Sequence, residues 1–401
     1  MSNLDTTHIL TRGVEQVLPG SDTLAELMNK KKIRVYLGID PTGSLLTLGH
    51  GVVLRKLQQL ADAGHEVILL IGNGTVRIGD PTGRDSTRPE LTDAVIEENF
   101  RHWRAQASRI LNFDKITIKH NGDWLDKLSY ADMVKLMAQT TVQQLVERDM
   151  FQERIKNELP IFGHEILYPL LQGYDSVVMD VDLEIGGSDQ LFNMMMGRHL
   201  QRVYNNREKW VLTTPIINGT DGRKMSKSYD NFIALNEPAQ DMYGKLMSMA
   251  DSEILTYFAV LTDVPDEQIE NIRTAIEGGD NPMEYKKELA LTITSDLHSP
   301  EAAQAASEHF ERTVQRREVP EEIPQVQVDS KPWLIGELLT ECLPDESKNN
   351  LRRLLDQGAV SMLEPEKIIF DQGWEQPVVV AQEGSVLKIG KRKFFRVINK
   401  D

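Results

Sequence analysis

IRVYLGIDPTGSLLTLGH, Ile33 to His50, is the stretch that decides the fold. Ile33–Gly38 is an apolar, β-rich run, the pattern of a buried strand. A loop rich in Gly, Pro and Thr follows. Gly49–Ala63 then carries Val52, Val53, Leu57 and Leu60 at helical spacing, and Gly64 stands where such a helix would stop. Outward from there the unit recurs. VILLIG (Val67–Gly72) reads as a strand leading into a second Gly-rich loop, Ala94–Leu111 as a helix, and Ile116–Asn121 as a third strand. A further strand is expected near Val177–Val181, with a helix after Gly187. Strands alternating with helices predict an α/β fold around a parallel sheet.

After about residue 232 the strand patterns fade and helical ones dominate through Thr313. Arg317–Pro332 has three prolines and little periodicity, so it reads as a linker. The tail resumes with two short helices, Trp333–Cys342 and Ser347–Gln357, then short strands ending in a hairpin that turns near Gly390. The expected organisation is a sheet domain over 1–231, an α-helical domain over 232–317, a linker over 318–330 and a small α+β domain over 331–401.

Composition bounds the chemistry. The chain has 401 residues, 40% hydrophobic and 26% charged, the balance of a soluble globular protein. No apolar run reaches the roughly 18 residues of a membrane span, and the polar start has no signal-peptide core. The one cysteine, Cys342, excludes a disulfide framework and any multi-cysteine metal site, so a reducing, cytoplasmic location without a protein-held metal is expected. The net charge of −16 argues against unspecific coating of nucleic acid. Its distribution is uneven, however. Lys388–Lys400 holds six cations and no acid, a basic strip able to meet a polyanion locally.

No GxxxxGK[ST] loop and no GxGxxG fingerprint is present. Neither His65 nor His164 has a second histidine four residues on. Any phosphate binding must therefore use another device, and two segments supply one. Asp40–His50 links the first strand to its helix, where a sheet of this kind binds ligands and a helix offers free N–H groups to phosphate. Thr42, Thr47 and His50 add donors there, and Gly49 admits close approach. Alone, the segment could be a polar turn capped by Thr47. The second, GTDGRKMSKS (Gly219–Ser228), sets Lys224 and Lys227 in a glycine-hinged loop that can close over a polyphosphate. Alone, it could be a solvated basic turn. Met194, Met195 and Met196 read as core packing, and His164 as a structural histidine.

TLGH (Thr47–His50) and KMSKS (Lys224–Ser228) together resemble the two signatures of class I aminoacyl-tRNA synthetases. The second matches letter for letter, and the first departs from HIGH at its first two positions. VYLGIDPTG, GDPTG, HEILYPLLQGYDS and IGGSDQLFN narrow the resemblance to bacterial tyrosyl-tRNA synthetases of the branch with a KMSKS loop. It runs from about residue 30 to the end and includes a tail similar to RNA-binding modules of ribosomal proteins.

The resemblance implies a Rossmann-like catalytic domain that activates L-tyrosine with ATP, whose phosphates bring Mg²⁺, and transfers it to tRNA(Tyr). It also implies a homodimer. It assigns Thr42, Thr47, His50, Lys224 and Lys227 to catalysis. ATP would be met by Gly38, Asp40, Gly49, His50, Gly187, Asp189 and Lys227. Tyr36 and Asp175 would grip the substrate phenol. Tyr168, Gln172, Asp80 and Asn121 would surround its ammonium group, and Gln190 its carboxylate side. Lys348, Arg352, Arg353, Lys388, Lys391, Arg392, Lys393 and Arg396 would contact RNA. A tryptophanyl enzyme, or a non-catalytic RNA-binding protein derived from a synthetase, are the competing expectations.

Overall fold

The computed structural model describes residues 5–82, 91–315, 323–371, 373–382, 384–390 and 393–400. Two compact units divide the chain, 1–303 and 304–401.

The first unit is built on a six-stranded sheet: β1 (Gln16–Leu18), β2 (Arg34–Ile39), β3 (Glu66–Ile71), β4 (Ile116–His120), β5 (Leu183–Gly187) and β6 (Trp210–Thr214). The order is β1-β6-β5-β2-β3-β4, with β1 antiparallel and the other neighbours parallel. The chain runs outward from β2 to β3 and β4, then returns to the opposite side of β2 to lay down β5 and β6. That reversal makes a crevice beyond the carboxyl ends of β2 and β5, the place where open α/β sheets take ligands.

The expected β2, β3 and β4 lie within one residue of their predicted bounds at each end. Helix Leu48–Asp62 follows β2 and buries Val52, Leu57 and Leu60, as its spacing requires. β3 is buried at every position after Glu66, consistent with a strand covered on both faces.

The strand expected near Val177–Val181 is corrected by the structure. Tyr168–Met179 is one helix, closed by Asp180 in the left-handed region (φ 49°, ψ 57°), and β5 begins at Leu183. Leu170, Tyr174 and Val177 pack in one cluster on a helical face, so helical packing overrides the β preference of the paired valines. Between β4 and this helix lie four short helices, Gly122–Leu125, Tyr130–Met137, Val142–Val146 and Asp149–Lys156.

Beyond the KMSKS loop come Ala239–Ser248, Ile254–Leu261, Asp266–Glu277 and Pro282–Leu297, the expected helical run, continued by Pro300–Phe310. Among the described residues no helix is long and apolar enough to cross a membrane.

In the second unit the strands are β7 (Gln325–Val328), β8 (Trp333–Leu334), β9 (Val360–Glu364), β10 (Ile368–Phe370), β11 (Pro377–Val378), β12 (Ser385–Ile389) and β13 (Lys393–Asn399). Five form a sheet in the order β10-β9-β12-β13-β7, and β8 pairs with β11. β7 falls inside the expected linker, so the linker is shorter than its prolines suggested. Val326 and Val328 alternate toward the core while the strand pairs in parallel with β13. Helices Ile335–Cys342 and Lys348–Asp356 cover this sheet through Leu338, Leu339, Leu351 and Leu355.

Candidate active site

The loop after β2 places the first signature at the mouth of the crevice. Thr47 precedes helix Leu48–Asp62 in extended conformation and is 5% exposed. Its backbone N–H donates to His50 Nδ1 at 3.1 Å, and its hydroxyl lies 2.9 Å from the same nitrogen. A nitrogen accepting the backbone N–H carries no proton, so the ring proton sits on Nε2 and Thr47 Oγ1–H donates to Nδ1. Burial first, and then the charge of Lys227, lower the His50 pKa to about 4. At neutral pH His50 is therefore an uncharged Nε2–H donor. Thr47, expected as a free donor, instead fixes the tautomer of its neighbour.

Asp40, at the end of β2, accepts from Thr75 Oγ1 at 2.7 Å and from the Tyr168 hydroxyl at 2.9 Å. Gly72 makes this possible, because a Cβ there would stand 1.9 Å from Asp40 Oδ1.

The second signature is tied to the first through the backbone. Leu48 N–H donates to the Ile233 carbonyl at 2.9 Å, and Leu235 N–H to that of Leu46 at 2.8 Å. These bonds bring segments some 185 positions apart into register and set the KMSKS loop over the first loop. Lys227 Nζ donates to the Leu45 carbonyl at 2.5 Å and lies 3.6 Å from where a Cβ on Gly43 would be. Lys224 pairs with Asp189 at 3.0 Å.

Asn231, a residue the sequence did not single out, holds the loop's shape. Its Nδ2 donates to Asp221 at 2.7 Å and to the carbonyls of Arg223 and Lys224 at 3.2 and 3.1 Å, while its Oδ1 accepts from Ser226 N–H at 2.8 Å. A Cβ on Gly219 would stand 2.2 Å from the Asn231 carbonyl oxygen, so this turn needs glycine.

Behind the two loops opens a cavity of about 330 Å³. Its walls include Gly38, Asp40, Thr42, Thr47, Gly49 and His50 on the β2 side, Gly187 at the end of β5 with Asp189 and Gln190 just beyond it, and Lys224. Its lining also takes in Tyr36, Asp80, Asn121, Tyr168, Gln172 and Asp175. Every expected catalytic, ATP and tyrosine residue except Lys227 thus lines one cavity. Lys227 stands on the Gly43–Leu45 loop at its rim.

Tyr36 on β2 is fully buried, and Asp175 on helix Tyr168–Met179 is 2% exposed. Asp175 accepts from Trp124 Nε1 at 2.8 Å and from Asn121 Nδ2 at 3.1 Å. Burial pushes its carboxyl well up, and these two donors pull it back toward the charged form. Burial likewise raises the Tyr36 and Tyr168 hydroxyls, so both remain protonated donors. Gln190 donates to Asp80 at 2.7 Å, and Gln172 to Glu184 at 3.1 Å. Trp124, Thr75 and Glu184 were missed in the sequence. A lone carboxylate within the apolar run of β5 was the available signal for Glu184.

In the tail, Arg352 lies over Trp374 at 5.3 Å and Lys388 over Phe394 at 5.3 Å. Lys393 pairs with Glu346 at 3.2 Å, Arg396 with Glu364 at 3.9 Å, and Arg353 donates to Asn350 at 2.8 Å. Such surface pairs are weak and exchangeable. Lys348 opens the helix that bears Arg352 and Arg353. Lys391 and Arg392 lie outside the described residues.

A family model for class I tRNA synthetases (W and Y) matches residues 28–315. A tyrosine–tRNA ligase of Thermotoga maritima is 44% identical over 392 residues, 97% of this chain and 96% of that protein. One of Francisella tularensis is 39% identical over 401 residues, 99% of each. Among solved structures, a C-terminally truncated mitochondrial tyrosyl-tRNA synthetase of Aspergillus nidulans aligns with TM-score 0.65 at 21% identity, over 76% of this chain and 93% of that one. The Archaeoglobus fulgidus tyrosyl-tRNA synthetase, solved with L-tyrosine, gives 0.60 at 21% identity, over 76% and 100%. At that identity these two structures speak to the fold. The family model and the full-length relatives speak to descent: the chain belongs to the class I tRNA synthetases of the tryptophan and tyrosine group.

Proposed function

We propose that the chain acts as a tyrosine–tRNA ligase, making tyrosyl-adenylate from L-tyrosine and ATP and passing the tyrosyl group to the 3′ end of tRNA(Tyr). The observation that carries the choice of amino acid is the pairing of Tyr36 and Asp175, a buried hydroxyl and a buried carboxylate facing one cavity. A phenol satisfies both groups. Phenylalanine offers neither group the further bond that a phenol gives, which costs orders of magnitude in kcat/KM. Indole lacks the hydroxyl as well, which disfavours the tryptophanyl reading.

The chemistry needs no protein base. The tyrosine carboxylate, already an anion, attacks the α-phosphorus in line and pyrophosphate leaves. Catalysis is then positioning and neutralisation of charge. Neutral His50 donates from Nε2. Lys227 and Lys224 offset the charge growing on the departing phosphates, and Mg²⁺ arrives on those phosphates as part of the substrate. Tyr168, Gln172, Asp80 and Asn121 receive the tyrosine ammonium group, with Gln190 beside its carboxylate. Gly38, Asp40, Gly49, Gly187 and Asp189 receive the nucleotide.

ATP–pyrophosphate exchange run in parallel with tyrosine, phenylalanine and tryptophan tests this. Tyrosine is expected to exceed the other two by at least about 10³-fold in kcat/KM. Preference for tryptophan, or no exchange with any of them, overturns the reading.

We divide the chain into a catalytic domain to residue 231, a helical region to about 317 that meets the anticodon side of the tRNA, and the tail as an RNA-binding module. Lys348, Arg352, Arg353, Lys388, Lys391, Arg392, Lys393 and Arg396 supply its phosphate contacts. The cytoplasm, where tRNA and amino acids meet, is its place of work.

A homodimer is supported by the helices inserted between β4 and Tyr168. Tyr130 (85% exposed), Val134 (48%) and Met137 (46%) share one face of helix Tyr130–Met137, and Val142 is 60% exposed. Tyr130→Glu combined with Met137→Glu is expected to shift sedimentation from dimer to monomer. A mass unchanged by the pair removes this face from the interface.

A further inference from the structure

Under the amino-acid pocket lies an enclosed ion pair that no step of the reaction consumes. Lys209, just before β6, and Glu184, on β5, are 0% and 1% exposed and in direct contact. Lys209 Nζ also donates to Ser176 Oγ at 2.8 Å and to the Met194 carbonyl at 3.1 Å, so its three protons are all committed. Glu184 accepts from Gln172 Nε2 at 3.1 Å through its other oxygen. Ser176 Oγ in turn lies 2.9 Å from the Tyr36 hydroxyl. Tyr36 and Glu184 are register partners on β2 and β5, which fixes the spacing of the whole chain of contacts. Room for it is made by Gly197, where a Cβ would stand 2.4 Å from Lys209 Nζ and 2.7 Å from Ser176 Oγ.

A buried ion pair is a poor way to gain stability, because apolar residues of similar volume do as well or better. The direction of the protons suggests what it does instead. An ammonium can only donate, so Lys209 occupies one lone pair of Ser176 Oγ. The single hydroxyl proton of Ser176 then has two acceptors within reach, the Tyr36 oxygen at 2.9 Å and Glu184 at 3.4 Å. The first is an ordinary hydrogen bond and the second a long one. With Ser176 donating to it, the Tyr36 hydroxyl has its own proton left. Glu184 is a second acceptor near that proton, but its two oxygens are already held by Lys209 and Gln172, which leaves the proton to the cavity.

We infer that Lys209 and Glu184, acting through Ser176, hold Tyr36 as a donor toward the substrate phenol, while Glu184 braces Gln172 along the same pocket. These are positioning residues. The site then presents one donor, Tyr36, and one acceptor, Asp175, to an oxygen that can accept one bond and donate another. This inference rests on tyrosine being the substrate.

The test compares Lys209→Met/Glu184→Gln, Ser176→Ala and their combination. Lys209→Met alone would strand a charge in the core, so the neutral pair is used, and its folding is checked by circular dichroism. The amide oxygen that Glu184→Gln introduces still accepts from Gln172, but the ammonium no longer orders Ser176. In pyrophosphate exchange the neutral pair is expected to raise the tyrosine KM about tenfold and to lower the tyrosine-to-phenylalanine ratio about tenfold, near 1.4 kcal/mol. Its kcat and ATP KM should stay within about threefold. Ser176→Ala should lower the same ratio by about threefold or more, and the combined variant should lose little beyond the larger single effect, because all act on one path.

A folded neutral pair with the parental ratio, or losses that multiply, overturns the inference. Should the neutral pair not fold, Ser176→Ala decides alone, and a parental ratio there overturns it. Failure of the parent to activate tyrosine would be a failure of the proposed function, and is read from the parent before any variant.

Discussion

Lys227→Ala is expected to slow tyrosyl-adenylate formation by about 10²–10³-fold, the usual loss when a preorganised donor to developing charge is removed, while the Kd for tyrosine changes by less than about twofold. Two features of the site separate these quantities. Lys227 Nζ stands on the Gly43–Leu45 loop, hydrogen-bonded to the Leu45 carbonyl, and does not line the cavity that holds Tyr36 and Asp175. The charge it would offset does not exist until the α-phosphorus bond to pyrophosphate begins to break, so its contribution belongs to the transition state.

Lys224→Ala should cost less, because Lys224 is already paired with Asp189. Pre-steady-state adenylation with a parallel equilibrium titration of tyrosine checks the claim, and equal losses in rate and affinity would refute the assigned role. An independent readout comes from His50. Burial dominates its depressed pKa of about 4, and the Lys227 charge adds to it. Removing that charge should move the His50 titration upward. Since the parental group is neutral from above pH 4 onward, His50 should contribute no step to the rate between pH 5 and 8 in the parent.

The sequence made the chemistry legible before the packing. TLGH and KMSKS could be read because they occur together and match a known pair of signatures, where either alone allows an ordinary polar turn. What joins them could not. Leu46, Leu48, Ile233 and Leu235 pair through backbone atoms, and backbone pairing leaves only a generic apolar trace in the side chains. Thr47 was read by its hydroxyl, but the hydroxyl is turned to His50 by a cap geometry that appears only once the helix start is fixed.

Elsewhere, local preference misled. Val177 and Val178 favour a strand by residue type, yet they sit on a helix that packs against Leu191–Asn205, where Gly173 and Gly197 allow close approach. β7 was hidden by its flanking prolines, because a parallel edge strand draws its partner from some 70 residues away. Lys209 and Glu184 were passed over because charged residues are usually solvated. Only the fold reveals that each is the other's counter-ion.

Ending the chain before Ile323 is expected to leave ATP–pyrophosphate exchange within about twofold of the full-length value and to reduce kcat/KM for tRNA charging by at least about 10²-fold, the scale on which losing several phosphate contacts acts at moderate salt. The cut belongs before β7. A cut after Ser330 would keep Gln325–Val328 while removing β13, its one partner strand among the described residues, and would uncover Val328, which is 2% exposed in the intact sheet. An unpaired apolar strand of that kind invites aggregation and would confuse a lost contact with a lost fold.

Every residue assigned to adenylation lies between Tyr36 and Lys227, inside the unit that ends at residue 303. The first half-reaction therefore has no stake in the tail. The second half-reaction meets a polyanion on a protein of net charge −16, so binding depends on where cations are concentrated and less on the total. Arg352→Glu with Lys388→Glu in the full chain reproduces the effect without removing any strand, since Arg352 is exposed and Lys388 half-buried and each reaches out over an aromatic ring. Charging by the parent should fall steeply with added salt, while exchange by either protein should not. Full charging by both the shortened chain and the charge-reversed one would show that the tail's cations do not hold the tRNA, and that recognition lies wholly within the first unit.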